Sequence, residues 1–180
     1  WVFSAQAHSD WRAEAGYHYY ENETVYVDGK AQQRQVQKTR WEPAWGVHDT
    51  AYLDLVVEAS KGLTEDELQS LEPYDLTNPM VRYQDDYLAG FEAECLSSTA
   101  MQAFQHGHKR IEGMERSACA QLVPGDTHRS LQVATRSYNV TAASTLVPVY
   151  VAAYIYADKV FRLLVNGQSV SFRHEDNLLV

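Results

Sequence analysis

Apolar and polar side chains alternate along much of this chain, which is the pattern of half-buried β-strands. In its first part the alternation predicts three strands, at residues 1–13, 17–27 and 31–41. Gly16 separates the first two, and Asp28-Gly29 is a hairpin signal because both turn positions favour positive φ. Pro43 and Gly46 are expected to end the third strand.

Further strands are predicted at residues 51–59, 87–96 and 131–140, and a three-strand meander at residues 147–156, 160–165 and 168–173. Asn166-Gly167, between the last two strands of the meander, predicts a type I′ turn. The stretch 137–157 has no charged residue and is long enough to cross a bilayer as a helix. Its period of two and its β-branched and aromatic residues favour a strand instead.

Two helices are predicted. Thr64 and Glu67 form the S/T-x-x-E pattern of a capping box, and Pro73 ends this short helix near Leu71. A long helix spans residues 99–120, capped by Ser98 or Thr99. Its apolar stripe is predicted to comprise Met101, Phe104, Ile111, Met114 and Ala118, and this face is expected to pack against a sheet.

These elements predict an α+β fold, mostly antiparallel β-sheet, with one long and one short helix and a C-terminal three-strand meander. We expect one β-rich domain over residues 1–180. A weak echo between residues 1–5 and 150–154 suggests two related β units, 1–96 and 121–180, around the helix 99–120.

Composition narrows the class of protein. The 180 residues are 45% hydrophobic and 22% charged, which is ordinary for a globular chain and excludes disorder as its main state. The formal charge is −9, and residues 1–90 carry 7 basic and 16 acidic side chains, so the excess lies there. A nucleic-acid binder usually needs a basic surface. The densest basic segment, at Arg34, Lys38 and Arg40, is better read as one solvated face of a strand.

No catalytic constellation stands out. His106 and His108 lie about 200° apart on a helix, so they are poor partners for one metal ion. His48 and Asp49 are neighbours whose side chains point opposite ways on a strand. The sequence has no phosphate-binding glycine loop, nucleophile elbow or HExxH motif. We therefore predict no catalytic residues, no cofactor and no metal ligands.

The acidic and thiol side chains do not define a functional site by themselves. Glu92 and Glu94 share one face of the predicted strand beside Cys95, where they can pair for acid–base work or hold a cation. Solvated or Arg-paired carboxylates are the commoner outcome. Cys95 and Cys119 belong to no CxxC pair, so a zinc ribbon within this chain is excluded and two buried, reduced thiols are expected.

Aromatic residues are the most distinctive chemical feature, with 12 Tyr and 4 Trp. Trp41 and Trp45 flank Pro43, and Tyr17 and Tyr19 lie in an aromatic run. Exposed rings stack on sugars, bases or proline-rich peptides. The alternative is that a second layer covers them. We take Tyr17, Tyr19, Trp41 and Trp45 as the candidate interaction surface.

Five motifs together carry a family resemblance; they occupy residues 40–46 (RWEPAWG), 71–76 (LEPYDL), 87–94 (YLAGFEAE), 146–150 (LVPVY) and 164–168 (LVNGQ). Their order and spacing resemble the region after the zinc ribbon in bacterial proteins of the transcription-factor-IIB zinc-ribbon type. Members are often labelled primosomal or helicase-like, and some are linked to membrane stress. This chain lacks the ribbon and a following membrane segment, and it has Tyr74 where the family usually has Trp.

The resemblance implies a non-enzymatic interaction or scaffold domain of a larger, membrane-linked bacterial protein. Its expected partners are other proteins or further copies of itself, with no nucleic acid, and with a membrane reached only through segments outside this chain. The implied location is the cytoplasm, at the inner face of the membrane. Two alternatives stay open: a nucleic-acid-associated module of the primosomal or helicase type, and a carbohydrate-binding or hydrolase domain that uses the carboxylates and aromatic rings.

Overall fold

A computed structural model describes residues 1–27, 30–76, 81–169 and 172–174. The strands are β1 (Val2–Val27), β2 (Lys30–Val56), β3 (Thr127–Ala143), β4 (Val149–Tyr156), β5 (Lys159–Asn166) and β6 (Phe172–His174). The helices are α1 (Glu65–Ser70), α2 (Ala100–Leu122) and a single 3₁₀ turn (Asp85–Leu88). The predicted class, α+β with mostly antiparallel sheet and one long and one short helix, is confirmed.

The chain divides into two units, and each combines separated segments. Unit 1 contains residues 1–4, 53–107 and 140–180, and unit 2 contains residues 5–52 and 108–139. Unit 1 has a core of buried apolar side chains: Val2, Val56, Leu68, Leu71, Tyr74, Leu76 and Leu164. In unit 2, the odd-numbered residues of β1 from Ala5 to Ala15 are all buried, which is the period of a strand with one covered face.

The first sheet has the strand order β2-β1-β3, so β1 is central. Strands β1 and β3 are antiparallel. Gln6 of β1 bonds to Asn139 of β3, whereas Arg12, later in β1, bonds to Gln132, earlier in β3. Strands β1 and β2 show the same reversal, as His8 pairs with Asp49 whereas the later Glu21 pairs with the earlier Lys38. The predicted Asp28-Gly29 turn lies outside the described residues, between these two neighbouring antiparallel strands.

Gly16 does not break the first strand, contrary to the prediction, because β1 continues to Val27. A Cβ atom at Gly16 would lie 2.6 Å from Thr127 Cγ2 and 2.8 Å from Trp41 Cζ3. The missing side chain makes room for rings and methyl groups that cross the strand from both neighbours. Gly16 therefore serves close packing within a strand and not its termination.

Pro43 and Gly46 also fail to interrupt their strand, since β2 runs without a break from Lys30 to Val56. Strand β2 lies at the edge of the sheet, where the missing N–H of a proline costs no ladder bond. At Gly46, a Cβ atom would lie 2.7 Å from Trp11 Cζ2, so the indole of Trp11 fills this position. The separate strand predicted at 51–59 is the end of β2.

The capping box of the short helix is confirmed. Thr64 Oγ1 accepts a hydrogen bond from the backbone N–H of Glu67, and the Glu67 carboxylate accepts one from the backbone N–H of Thr64. The predicted strand at 87–96 is wrong: a 3₁₀ turn and irregular backbone occupy this region. Gly90 has a φ of +86°, and this left-handed backbone conformation interrupts the strand-like alternation of side chains there.

The long helix is confirmed, but part of its predicted face is wrong. Its buried residues recur every fourth position: Ala103, Gly107, Ile111, Glu115 and Cys119. Met101 is 79% exposed and Met114 is also exposed. Small residues let the helix backbone approach its neighbours closely, as at Gly107, where an added Cβ atom would lie 3.2 Å from Val57 Cγ2. Residue size, and not hydrophobicity alone, therefore selects the buried face.

The second sheet has the order β4-β5-β6, so the C-terminal meander exists with altered details. Strands β4 and β5 pair in register from Val149↔Asn166 to Tyr156↔Lys159. The first described pair of β5 and β6 is Val165↔Phe172, and Asn166 still belongs to β5, so Asn166-Gly167 is not the predicted two-residue turn. Neither Asn166 nor Gly167 has positive φ.

Asn166 is instead a buried bridging residue. Its Nδ2 donates to the carbonyl oxygens of Leu71 at 2.8 Å and Pro73 at 3.2 Å, while its Oδ1 accepts from the N–H of Gln168 at 2.8 Å. These bonds explain why β5 ends here.

Among the described residues, no helix is long and apolar enough to span a membrane.

Candidate functional site

Unit 2 contains a polar cluster on the buried face of α2, centred on Glu115. The side chain of Glu115 is fully buried, although its helical position continues a row of small and apolar residues. The row places it against the inward faces of β1 and β2. Ser9 of β1 and His48 and Tyr52 of β2 surround the carboxylate.

Hydrogen bonds occupy both oxygens of this carboxylate. Tyr52 donates its hydroxyl proton to Glu115 Oε1 at 2.7 Å, and His48 Nδ1 lies 2.9 Å from Oε2. Ser9 also bonds to Glu115, and its Oγ lies 2.8 Å from Thr135 Oγ1. Strands β1, β2 and β3 therefore all contribute to one buried network, which satisfies the polar groups that burial would otherwise penalise.

The network controls which groups carry charge. Burial raises the pKa of Glu115, but the hydrogen bonds from Ser9, His48 and Tyr52 outweigh it, so the pKa lies below its usual value. Glu115 is therefore ionised, and His48 Nδ1 carries the donated proton. Burial, with the bond to Glu115 and its charge, raises the pKa of Tyr52 and keeps the phenol neutral.

Cys119 lies one helical turn beyond Glu115 and is also fully buried. Burial, followed by the charge of Glu115, raises the pKa of its thiol, so the free group is protonated and a poor nucleophile. One donor atom each from His48, Glu115 and Cys119 lie within 4.8 Å of one another. These three residues are therefore a potential metal-ligand set, whereas the described cluster lacks an activated nucleophile.

His48 and Asp49, which are neighbours on β2, do not form a catalytic dyad with each other. The two side chains take separate partners, since Asp49 Oδ1 lies 2.7 Å from His8 Nδ1. Sequence reasoning missed Ser9, Tyr52, Glu115 and Cys119 as a group. One signal was available: Glu115 occurs at a spacing of four from both Ile111 and Cys119, so a helix that buries those two residues must bury the carboxylate too.

The other predicted chemical groups do not assemble. Glu94 accepts a hydrogen bond from the Gly62 N–H at 2.7 Å. Cys95 is exposed, contrary to the expectation of a buried thiol. His106 Nδ1 lies 2.8 Å from Glu58 Oε1, and His108 Nδ1 lies 2.9 Å from Ser137 Oγ, so the two histidines have different neighbours, as their helical spacing requires.

The four aromatic residues of the candidate interaction surface do not form one surface. Trp41 packs over Gly16, an even position of β1, and Arg129 lies 4.1 Å from its ring centroid. Tyr17 and Tyr19 are odd positions and therefore point to the opposite face. Tyr19 is exposed, and Tyr17 is half-buried beneath Arg40, at 5.8 Å.

Trp45 is 76% exposed and borders a shallow depression in unit 2. Its lining includes Arg12, Glu14, Pro43 and Gln132. Arg12 donates to Gln132 Oε1 from both Nε and Nη2, at 2.8 and 2.5 Å. The depression thus combines one open indole with polar groups already engaged with each other.

Unit 1 exposes a second set of rings and branched side chains on the β4–β5 hairpin. The exposed members are Tyr150, Val151, Tyr154, Ile155, Tyr156 and Val160. Alternation places Tyr150 and Tyr156 on one face of β4, and Val151 and Ile155 on the other. Ile155 is 74% exposed, so apolar side chains meet solvent on both faces of this hairpin.

A comparison with known protein families gives no match, and no solved structure matches the chain. The chain is similar to the uncharacterized protein YdjG of Bacillus subtilis strain 168, at 29% identity over 123 residues. The match covers 66% of this chain and 35% of that protein, so it spans about a third of the relative's length. The zinc-ribbon resemblance stays a prediction.

Proposed function

We propose that the chain is a non-enzymatic interaction domain, of the kind that a larger membrane-linked bacterial protein carries, and that it docks a second copy of itself. The observation that carries the proposal is strand β4. It is the outer strand in the order β4-β5-β6, and its eight residues include no charged residue and no proline. It also presents apolar side chains on both faces.

Edge strands of this kind are usually protected. Monomeric proteins place lysine, proline, a bulge or a covering loop at an exposed strand edge, because bare backbone groups there pair with other strands. Lys159, at the start of β5, is the nearest cation along the chain. The eight-residue, uncharged edge of β4 is therefore suited to pairing.

A second copy fits this edge better than an unrelated strand does. Two identical strands that pair antiparallel generate a two-fold axis, which is the commonest symmetry of soluble oligomers. The pairing brings uncharged Val149–Tyr156 against itself, so the contact has no like-charge cost although the chain carries a net charge of −9. Long-range repulsion between the copies weakens with salt, so association should strengthen as ionic strength rises.

The test is sedimentation velocity of the 180-residue chain at concentrations up to about 100 µM, the weak end of specific association. We expect a monomer–dimer equilibrium that Ile155→Lys shifts at least tenfold toward monomer. Met101→Lys is the matched control, since Met101 is equally exposed but lies on α2. A chain that stays monomeric, or that responds equally to both variants, overturns the second copy as the occupant.

The nucleic-acid alternative is weaker because two of its three candidate cations, Lys38 and Arg40, are engaged. Lys38 of β2 pairs with Glu21 and Glu23 of β1. Arg40 Nε lies 2.9 Å from Glu42 Oε1. A phosphate must compete with these carboxylates. Micromolar binding of labelled DNA or RNA at about 150 mM salt, with a clear salt slope, would revive this alternative and overturn the interaction proposal.

A carbohydrate-binding role has one observation in its favour, the exposed indole of Trp45 beside a depression that holds Arg12 and Gln132. Sugar rings stack on such an indole while polar groups bond their hydroxyls. Titration of indole fluorescence with soluble chitin and cellulose oligosaccharides tests it. A saturable change that Trp45→Ala abolishes supports the role, and an unchanged spectrum excludes it for these sugars.

A further inference from the structure

We propose that His48, Glu115 and Cys119 form a binding site for a divalent transition metal ion of the zinc class. All three belong to unit 2, whereas the β4–β5 hairpin belongs to unit 1. The inference therefore stands independently of the proposed interaction through β4. It assigns a role to a buried thiol and carboxylate that no interaction surface uses.

The arrangement of the three residues comes from regular structure. Glu115 and Cys119 are four residues apart on α2, so their side chains lie on the same helical face one turn apart. His48 lies on the strand that faces this turn, with Nδ1 2.9 Å from Glu115 Oε2. Two rigid elements therefore present the three donors, which is the setting in which metal geometry is best preserved.

The distances allow one ion to reach all three donors. Their ligand atoms lie within 4.8 Å of one another. Zinc bonds of about 2.0–2.3 Å in a tetrahedral site separate neighbouring donors by roughly 3.3–3.7 Å. An ion between His48 Nδ1 and Glu115 Oε2 requires that contact to open by a few tenths of an ångström. Rotation of side chains is enough for such a shift.

The donor types select the metal. Thiolate and imidazole favour zinc and related ions, whereas calcium and magnesium require oxygen donors. Binding releases one proton to solvent, from the Cys119 thiol, while the proton on His48 Nδ1 moves to Nε2 so that Nδ1 can coordinate as a neutral imidazole. The resulting site has a dication with one thiolate and one carboxylate, so its formal charge is zero. The ion thus neutralises the charge of the buried Glu115.

Neighbouring groups already hold the carboxylate in place. Tyr52 donates to Glu115 Oε1 and leaves Oε2 directed toward His48. Ser9 adds a further bond to the carboxylate. Such outer hydrogen bonds orient metal ligands and commonly change metal affinity 10–100-fold. The side chain of His48 is about a quarter exposed, so solvent and an incoming ion reach the cluster from its side.

The experiment is a titration of the chelator-treated 180-residue chain with Co²⁺, followed by competition with Zn²⁺. We expect one equivalent to bind and to produce the near-ultraviolet charge-transfer absorption of a cobalt–thiolate bond. Zn²⁺ should abolish this absorption by displacement and should raise the melting temperature. Cys119→Ser should remove the absorption and weaken binding at least tenfold, and His48→Gln should weaken binding comparably.

Matched controls are available within the chain. Cys95→Ser removes the exposed thiol, and His106→Gln removes a histidine that also contacts a carboxylate, that of Glu58. Neither should change the absorption or the affinity. Tyr52→Phe should keep the absorption while weakening binding, as expected of a positioning residue. Circular dichroism of each variant establishes that it is folded.

Three outcomes overturn the proposal. One is the absence of thiolate absorption at saturating Co²⁺ in the folded, unsubstituted chain. Another is loss of the absorption in Cys95→Ser rather than in Cys119→Ser. The third is a melting temperature that Zn²⁺ leaves unchanged, which would assign His48 and Glu115 to a purely structural hydrogen bond.

Discussion

Asn166, in β5, donates its side-chain N–H to the backbone carbonyl of Leu71, 95 positions earlier in the chain and at the C-terminal end of α1, at 2.8 Å. A second bond reaches the carbonyl of Pro73, and Asn166 is completely buried. One amide thus holds the end of α1 and the residues after it against the second sheet within unit 1.

Asn166→Asp should destabilise the protein by about 3 kcal/mol. The carboxylate still accepts from Gln168, but it places an oxygen against the carbonyls of Leu71 and Pro73, where a donor is required. Urea denaturation at neutral pH measures the free energy of unfolding. Asn22→Asp, at an exposed asparagine of β1, is the control and should change stability much less. Equal effects of the two variants would contradict this role.

Ile111→Ala should lower the free energy of unfolding by about 2–5 kcal/mol, because Ile111 is fully buried on α2. Met101→Ala, on the same helix, should have little effect because that side chain is 79% exposed. Thermal and urea unfolding of the two variants measure the difference. An unmoved transition for Ile111→Ala would mean that α2 presents a different face to its neighbours.

Gly113→Ala should stabilise the protein by about 0.5–1 kcal/mol. Gly113 is inside α2, and an added Cβ would meet no atom within 4 Å. Gly16→Ala is the opposite case, because its Cβ would overlap Thr127 and Trp41 and should destabilise. Paired melting curves check both signs, and destabilisation by Gly113→Ala would disprove the open space beside that residue.

Tyr52→Phe should cost about 1–2 kcal/mol of unfolding free energy, since it removes a hydrogen bond to the ionised Glu115. The loss should be largest at neutral pH, where the carboxylate is charged. Guanidinium unfolding of the metal-free protein measures it. Tyr138→Phe, at an exposed tyrosine, should be close to neutral, and a comparable loss there would show that the Glu115 contact is not the cause.

His8 should titrate above the usual range of histidine. The hydrogen bond with Asp49 raises its pKa, and the nearby Asp10 acts in the same direction while Arg136 opposes it. Because the folded pKa is raised, this pair stabilises the fold below the pKa of a free histidine, about 6.5, and loses its effect as pH rises through the folded value.

NMR titration of the His8 ring protons should place its midpoint above that of a free histidine, and Asp49→Asn should lower the midpoint. Asp54→Asn, at a carboxylate on the same strand outside this pair, is the control. An unchanged His8 midpoint in Asp49→Asn would show that the 2.7 Å contact does not persist in solution.

Local signals in the sequence predict local structure well. The capping box of Thr64 and Glu67 needs only residues three apart, and it forms as expected. Gly16 and Pro43 depart from expectation because their roles depend on neighbours far along the chain. Gly16 stays within β1 because the indole of Trp41 packs over it. Pro43 is tolerated within β2 because β2 lies at the edge of the sheet.

The Glu115 cluster is not predictable for a related reason. Glu115 and its partner His48 are 67 positions apart, and Tyr52 is 63 positions away. Taken alone, each of these side chains is more commonly found solvated at the surface. Only the burial of one α2 face against β1 and β2 brings the carboxylate, imidazole and thiol together, and the period of the helix allows several candidate faces before the sheet is known.

The central place of β1 in the order β2-β1-β3 has a consequence for how the chain acquires its structure. Its first neighbour, β2, follows almost directly in the sequence, but the Ser9–Thr135 bond to β3 joins residues 126 positions apart. During synthesis, one edge of β1 therefore stays unpaired until most of the chain has been made. We expect slow, late completion of this sheet, and a nascent chain that exposes one edge of β1 to chaperones in the meantime.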